Sequence, residues 1–301
     1  MMRLVLCCAM ISVAWSATAS AQQKAGKSYP PDLPGAKVEA YKTVGDAKLN
    51  LYIFEPAGHK PSDKTPAIVF FFGGGWTGGS PQQFEQQCKH LAERGMVAIT
   101  ADYRVASRNQ VKAVSCVADA KSAIRYVRQN AAKLGVDPNR IAAGGGSAGG
   151  HIAACTGVLT GFDESTEDAK ISSVPNALAL FNPAVVLAPV DGLRQLDAAK
   201  VSSLADRMGT DPQKLSPYHN MHKGVPPTII FHGQADTTVP YQTVELFTKA
   251  MQAAGNQCQL VGYEGQTHGF FNHGRNDNEH YQKTLDELDK FLVGLGYLAK
   301  R

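Results

Sequence analysis

Charged side chains are scarce in this chain of 301 residues, at 19%, and the 30 basic and 26 acidic residues leave a formal net charge of +4. The basic residues are scattered rather than gathered into a stripe, which argues against a nucleic-acid partner. Long apolar runs are missing as well. The longest, Leu4–Trp15, is shorter than the ~20 residues a spanning helix needs, so no integral membrane segment is expected in the mature chain. No His-Glu-x-x-His stretch and no Cys-x-x-Cys pair occurs, so neither metal nor organic cofactor is expected. Internal repeats and low-complexity tracts are absent.

What is present begins with a targeting pattern. Residues 1–21 carry Arg3, then the apolar stretch, then Ala19-Ser20-Ala21, the order of a cleaved signal peptide, which predicts a secreted or periplasmic protein. Residues 22–35 are rich in Pro, Gly, Gln and Lys and read as a flexible lead-in to one domain over 36–301. Cys88, Cys116, Cys155 and Cys258 follow, and in such a compartment they permit three full disulfide pairings or remain as buried thiols.

Alternation over Val38–Val44 and Leu49–Phe54, around Gly45-Asp46, predicts an antiparallel hairpin. Short apolar runs follow at Ala67–Phe72, Met96–Ala101, Arg140–Ala143, Ala177–Phe181, Thr228–Phe231 and Cys258–Tyr263. Helix-like segments lie between them at Gln82–Arg94, Ala113–Leu134 and Val239–Ala254, and an amphipathic Glu279–Gly294 closes the chain. This alternation is that of an α/β protein with a mostly parallel sheet. Phe162–Pro175 and Ala184–Gly224 have no period and are expected as insertions above the sheet, where they would shape a pocket.

Chemistry concentrates at Gly145-Gly146-Ser147-Ala148-Gly149, set between an apolar run and a small-residue helix. A serine on a tight strand-to-helix turn exposes its Oγ and places it beside the unpaired N–H groups of a helix N-terminus. A phosphate loop is the alternative, but it would want Lys followed by Ser or Thr, and Gly150-His151 stand there instead. Upstream, Gly73-Gly74-Gly75-Trp76 follows the run that ends in Phe72, and residues without Cβ let backbone N–H groups approach a carbonyl. Gly74 and Gly75, with Ala148, are the predicted oxyanion donors. Trp76 either lines the pocket or packs under the loop.

A serine nucleophile needs an imidazole base oriented by a carboxylate, and on this class of sheet the chain order is Ser, acid, His. Asp236 leaves the end of the Thr228–Phe231 run, and His268 leaves the end of Cys258–Tyr263. Among nine histidines, His268 alone directly follows the last strand with a glycine behind it, while His232 reads as packing or loop support. Ser147, Asp236 and His268 are therefore the predicted catalytic set.

These motifs, together with Asp102-Tyr103-Arg104 and His232-Gly-x-x-Asp236-x-x-Val239-Pro240, resemble the hormone-sensitive-lipase and acetyl-esterase group of α/β-hydrolases, near its secreted, bacterial feruloyl-esterase-like branch. The similarity runs from about Lys37 to the C-terminus. It implies an α/β-hydrolase fold of about eight strands with a small cap, the same catalytic and oxyanion residues, and Asp102 and Arg104 as loop supports. The implied substrate is a small-molecule or saccharide-linked ester of an acetyl or feruloyl group. Many relatives carry His before the three glycines and an acidic residue before the serine, where this chain has Phe72 and Gly146. The hydrogen bonding behind the oxyanion loop must therefore differ. A serine peptidase on the same fold and a binding protein on a hydrolase scaffold are the rival readings.

Overall fold

The computed structural model describes residues 29–191 and 204–300. The expected signal peptide at 1–21 and residues 22–28 of the lead-in lie outside the described residues. Eight strands form one sheet in the order β1-β2-β4-β3-β5-β6-β7-β8. The hairpin β1 (Lys37–Val44) and β2 (Ala47–Phe54) is antiparallel, as is the β2–β4 pair. The remaining pairs, among β3 (Thr65–Phe71), β4 (Val97–Ala101), β5 (Val136–Gly146), β6 (Ala177–Phe181), β7 (Thr228–Gly233) and β8 (Cys258–Tyr263), are parallel. The C-terminal ends of β3, β5, β7 and β8 therefore share one edge.

Period-two alternation divides β3 between two cores. Ala67, Val69 and Phe71 face one layer, built with α2 (Ala113–Gln129), α3 (Ala148–Val158) and α4 (Tyr241–Ala253). Ile68 and Phe70 face the other, with α1 (Glu85–Glu93) and α5 (Glu279–Gly294). Phe70 stacks on Phe84 with ring centroids 4.7 Å apart and planes within 3°. Each fully buried Phe of this kind stabilises by about 2–3 kcal/mol relative to exposure. On α5 the buried residues Tyr281, Thr284, Leu285, Leu288 and Leu292 recur at helical spacing, as the sequence pattern predicts.

The structure corrects several expectations. The helix expected to Leu134 stops at Gln129; Asn130 is non-helical and bonds back to the Tyr126 carbonyl, and one turn at Ala131–Leu134 follows. The helix expected from Val239 starts at Tyr241, because Pro240 is extended (φ −59°, ψ 135°). Phe162–Pro175 does not overhang the site. Its acidic side chains seek the cationic flank of α2: Asp163 pairs with Lys121 and Arg125, and Glu167 pairs with Arg125. Ala184–Gly224 behaves as expected, since its described residues include Val186, Leu187 and Leu204 beside Ser147. Cys88, Cys116, Cys155 and Cys258 are all free thiols, and the first three are buried.

Candidate active site

Strand β5 runs into Ser147, whose φ of 54° and ψ of −119° are strained for a residue with a Cβ. The strain holds because both sides of the turn are tied: the Ser147 N–H donates to the Phe181 carbonyl, and the Ser147 carbonyl accepts from the His151 N–H, each at 2.9 Å. The flanking glycines are steric necessities. A Cβ on Gly149 would sit 2.1 Å from the Phe71 carbonyl oxygen, and one on Gly145 would sit 2.5 Å from that of Gly149. Gly146 answers the question raised by the missing acidic residue, because the Phe271 ring already fills the space, 2.7 Å from where its Cβ would be.

The three predicted catalytic side chains converge. The Ser147 hydroxyl donates to His268 Nε2 at 2.9 Å, and His268 Nδ1 donates to Asp236 Oδ2 at 2.7 Å. Asp236 Oδ1 accepts from the N–H groups of Thr238 and Val239, both at 2.9 Å. Burial works against ionisation of Asp236, but hydrogen bonds from His232, His268 and the Val239 N–H outweigh it and hold the carboxyl well below the usual carboxylate range. The acid thus stays an anion able to stabilise an imidazolium.

His232 supports the acid loop, the second of its two expected roles. Its Nε2 lies 2.8 Å from the Val239 carbonyl and 3.3 Å from Asp236 Oδ2, both acceptors, so that nitrogen carries the proton. The fully buried ring therefore holds the acid and its loop together. The signal in the sequence was its position four residues before Asp236 at the end of a strand.

The oxyanion loop leaves β3 at the same edge. Gly74 and Gly75 have φ values of 131° and 62°, and the turn closes by bonds from the N–H groups of Thr77 and Gly78 to the Gly74 carbonyl, at 3.0 and 3.1 Å. Among the described residues no loop hydrogen bond takes up the Gly74 or Gly75 N–H, and Gly75 lines the same cavity as Ser147 and Ala148, the first residue of α3. Where relatives carry His, Phe72 stacks on Tyr103 with centroids 4.1 Å apart, and the Tyr103 hydroxyl donates to the Phe72 carbonyl at 2.6 Å. Asp102 and Arg104 are supports, as expected: the Asp102 carboxylate accepts from the Tyr103 N–H, and Arg104 makes a two-pronged ion pair with the buried Asp119.

Trp76 resolves to both of its alternatives. It lines the cavity at Ser147, and its indole N–H donates to His151 Nδ1 at 3.1 Å. His151 Nε2 in turn donates to the Leu215 carbonyl at 2.8 Å, and burial pushes the imidazole down to about 4, so it stays neutral. The cavity has a volume of about 180 Å³ and is walled mainly by apolar residues, among them Val186, Leu187, Leu204 and Val239. Arg207 stands at its rim, with a guanidinium nitrogen about 4.0 Å from where a Gly75 Cβ would be.

Comparison with known proteins agrees with this geometry. The BD-FAE family model matches residues 51–251. Solved structures of esterase 2 from Thermogutta terrifontis are similar over 91% of this chain and 100% of theirs, at 56% identity and a TM-score of 0.86. Isoprenylcysteine alpha-carbonyl methylesterase of Arabidopsis thaliana is 31% identical over 219 residues, 67% of this chain and 50% of its own length. Esterase LipC of Mycobacterium tuberculosis is 29% identical over 70% of this chain and 54% of its own length. The chain thus spans about half the length of the curated relatives it matches. With the eight-stranded sheet, the serine turn and the convergent Asp and His, these matches show that the chain belongs to the BD-FAE family of α/β-hydrolase esterases.

Proposed function

We propose that this protein hydrolyses short-acyl carboxylic esters through an acyl-enzyme on Ser147. The observation that carries the reading is the unbroken Ser147–His268–Asp236 hydrogen-bond chain opening on a small apolar cavity. His268 takes the Ser147 proton as Oγ attacks the ester carbonyl, and the developing oxyanion sits on the N–H groups of Gly74, Gly75 and Ala148, each donor worth about 3 kcal/mol of transition-state stabilisation. His268 then gives its proton to the departing alcohol oxygen. A water, deprotonated by the same imidazole, releases the acid and restores the serine.

The cavity volume supports acetyl to butyryl groups over bulkier ones. At about 180 Å³ it lies below the ~300–1,000 Å³ of drug-sized ligand sites. Solved forms of the Thermogutta terrifontis enzyme are bound to propionate and butyrate, and others are phosphorylated by paraoxon, which supports a short acyl pocket and a reactive serine here. Acetylated sugars belong within the proposed range on the strength of the family resemblance. The proposal includes export, on the strength of Arg3, the apolar stretch and Ala19-Ser20-Ala21. N-terminal sequencing of the mature protein should begin just after Ala21; an N-terminus at Met1 or Met2 would refute it.

A panel of p-nitrophenyl esters from acetyl to dodecanoyl, with methyl ferulate, acetylated xylose and a peptide p-nitroanilide, tests the activity. The expected order places acetyl to butyryl first and leaves the anilide uncleaved. Ser147→Ala should lose at least about 10⁴-fold in kcat. Unchanged turnover in that variant, or preferential cleavage of the anilide, would overturn the reading.

A further inference from the structure

The oxyanion loop leaves β3 and the base loop leaves β8, with β5, β6 and β7 between those strands. Catalysis needs the donors of one loop and the imidazole of the other to hold register on a single tetrahedral carbon. A side-chain relay crosses the gap. Gln83 stands on the single turn Pro81–Phe84, after the oxyanion loop, and its Oε1 accepts from the Gly73 N–H at 2.6 Å. Its Nε2 donates to Asn272 Oδ1 at 2.9 Å, and Asn272 Nδ2 donates to the Gly269 carbonyl at 2.8 Å. The amide orientations are forced in sequence, because the Gly73 N–H can only donate and the Gly269 carbonyl can only accept.

Each end of the relay is one residue from the chemistry. Gly73 precedes the donor Gly74, and Gly269 follows the base His268. Each loop is closed by turn bonds of its own, to the Gly74 carbonyl in one and to the Thr267 and Gly269 carbonyls in the other, but none of these turn bonds ties one loop to the other, and Gly74, Gly75 and Gly269 all have positive φ. The Gly269 N–H is anchored by Asn182 Oδ1 at 3.0 Å, from the end of β6, and its carbonyl accepts twice from Asn272, from the side-chain Nδ2 at 2.8 Å and from the backbone N–H at 3.2 Å. Gln83 is also packed at the nucleophile: a Cβ on Gly73 would lie 3.3 Å from Ser147 Cβ and 3.5 Å from Gln83 Oε1.

We propose that Gln83 is a positioning residue that, through Asn272, couples the oxyanion loop to the base loop, holding both in register on the reacting carbon. The inference rests on the esterase reading. Turnover by the wild-type protein tests that reading, whereas only the ratio of variant to wild type tests the relay.

The experiment compares wild type, Gln83→Met, Asn272→Leu and the double variant on p-nitrophenyl acetate, with melting temperature measured alongside. Met keeps the length of Gln and loses both hydrogen bonds. Removing a hole donor outright costs about 10²–10³-fold in kcat, so displacing donors that remain present should cost roughly 10–30-fold, with KM within about twofold. Because the two residues form one relay, the double variant should lose no more than the weaker single. A role confined to stability would instead lower the melting temperature and leave kcat per folded enzyme intact. Wild-type kcat in folded Gln83→Met, a KM rise that accounts for the whole loss, or multiplicative losses in the double variant would each overturn the proposal. Should Gln83→Met not fold, Asn272→Leu breaks the same relay from the far side and carries the same expectation.

Discussion

The two glycine-rich turns at the site use the same residue for opposite reasons. At the nucleophile, Gly145 and Gly149 are needed because neighbouring backbone comes within 2.1–2.6 Å of where a Cβ would be, while the strained positive φ falls on Ser147 itself. In the oxyanion loop, the glycines carry the positive φ, and space around them is uneven: a Cβ on Gly74 would strike the Gly78 carbonyl oxygen at 2.3 Å, whereas one on Gly75 would meet only Arg207 at 4.0 Å. The nucleophile-turn glycines are fixed by crowding alone, the oxyanion-loop glycines by positive φ with crowding added at Gly74. A trapped nucleophile must not relax, but a donor loop has only to keep its N–H groups directed at one point.

The sharpest test of the comparison is Gly149→Ala. With the Phe71 and Phe72 carbonyl oxygens 2.1 and 2.3 Å from the new methyl, strand and helix must separate, and stability should fall by about 4 kcal/mol in denaturant unfolding. A loss below about 1 kcal/mol would mean that crowding does not fix this turn.

The hinge between the turns is His151, on the helix after the serine, holding Trp76 of the other loop. Its neutral ring is depressed from 6.5 to about 4 by burial, so the folded state binds fewer protons than the unfolded chain between those values. Stability should therefore be full above pH 6.5 and be lost as pH falls toward 4, by up to about 3 kcal/mol. His151→Gln should be less stable than wild type at pH 7, and the gap should narrow by pH 4.5; a constant gap would contradict the assignment.

Smaller effects separate the two donors. Gly74→Ala should lower kcat by roughly 100-fold, because the clash with Gly78 swings the N–H away. Gly75→Ala should lose less than about tenfold, since φ near 60° costs an L-residue only about 1 kcal/mol and the new methyl meets open space. Equal losses at the two positions would show that the loop responds as a whole and that the local geometry does not decide.

Much of this was legible along the chain. The runs at β3, β4, β6 and β7 were visible because strands buried on both faces need continuous apolar residues, and the order Ser147, Asp236, His268 follows from strand ends sharing an edge. The segment at Phe162–Pro175 was misplaced because Asp163 and Glu167 are explained by Lys121 and Arg125, about forty positions upstream on a helix face that periodicity does not orient, and Glu164 by Lys42 on β1. His232 was legible as packing or loop support, and it supports the loop; its contact with the Asp236 carboxylate was not, because only the turn at Asp236 brings that group back to it. Gln83 and Asn272 carried no signal at all, being 189 positions apart.

The sequence by itself determined the sheet and the serine turn, and it singled out the Ser147, Asp236 and His268 that the fold brings within hydrogen-bond distance, since each rests on local pattern: apolar runs, glycine spacing and chain order. Tertiary structure alone decided what supports them. Phe271 in place of an acidic side chain beside Ser147, Phe72 on Tyr103, His232 under Asp236, His151 behind Trp76 and the Gln83–Asn272 relay are all contacts between residues remote in the chain. Hydrogen bonds and close packing act over a few ångströms, and which residues come within that range is settled only when the strands between them have paired.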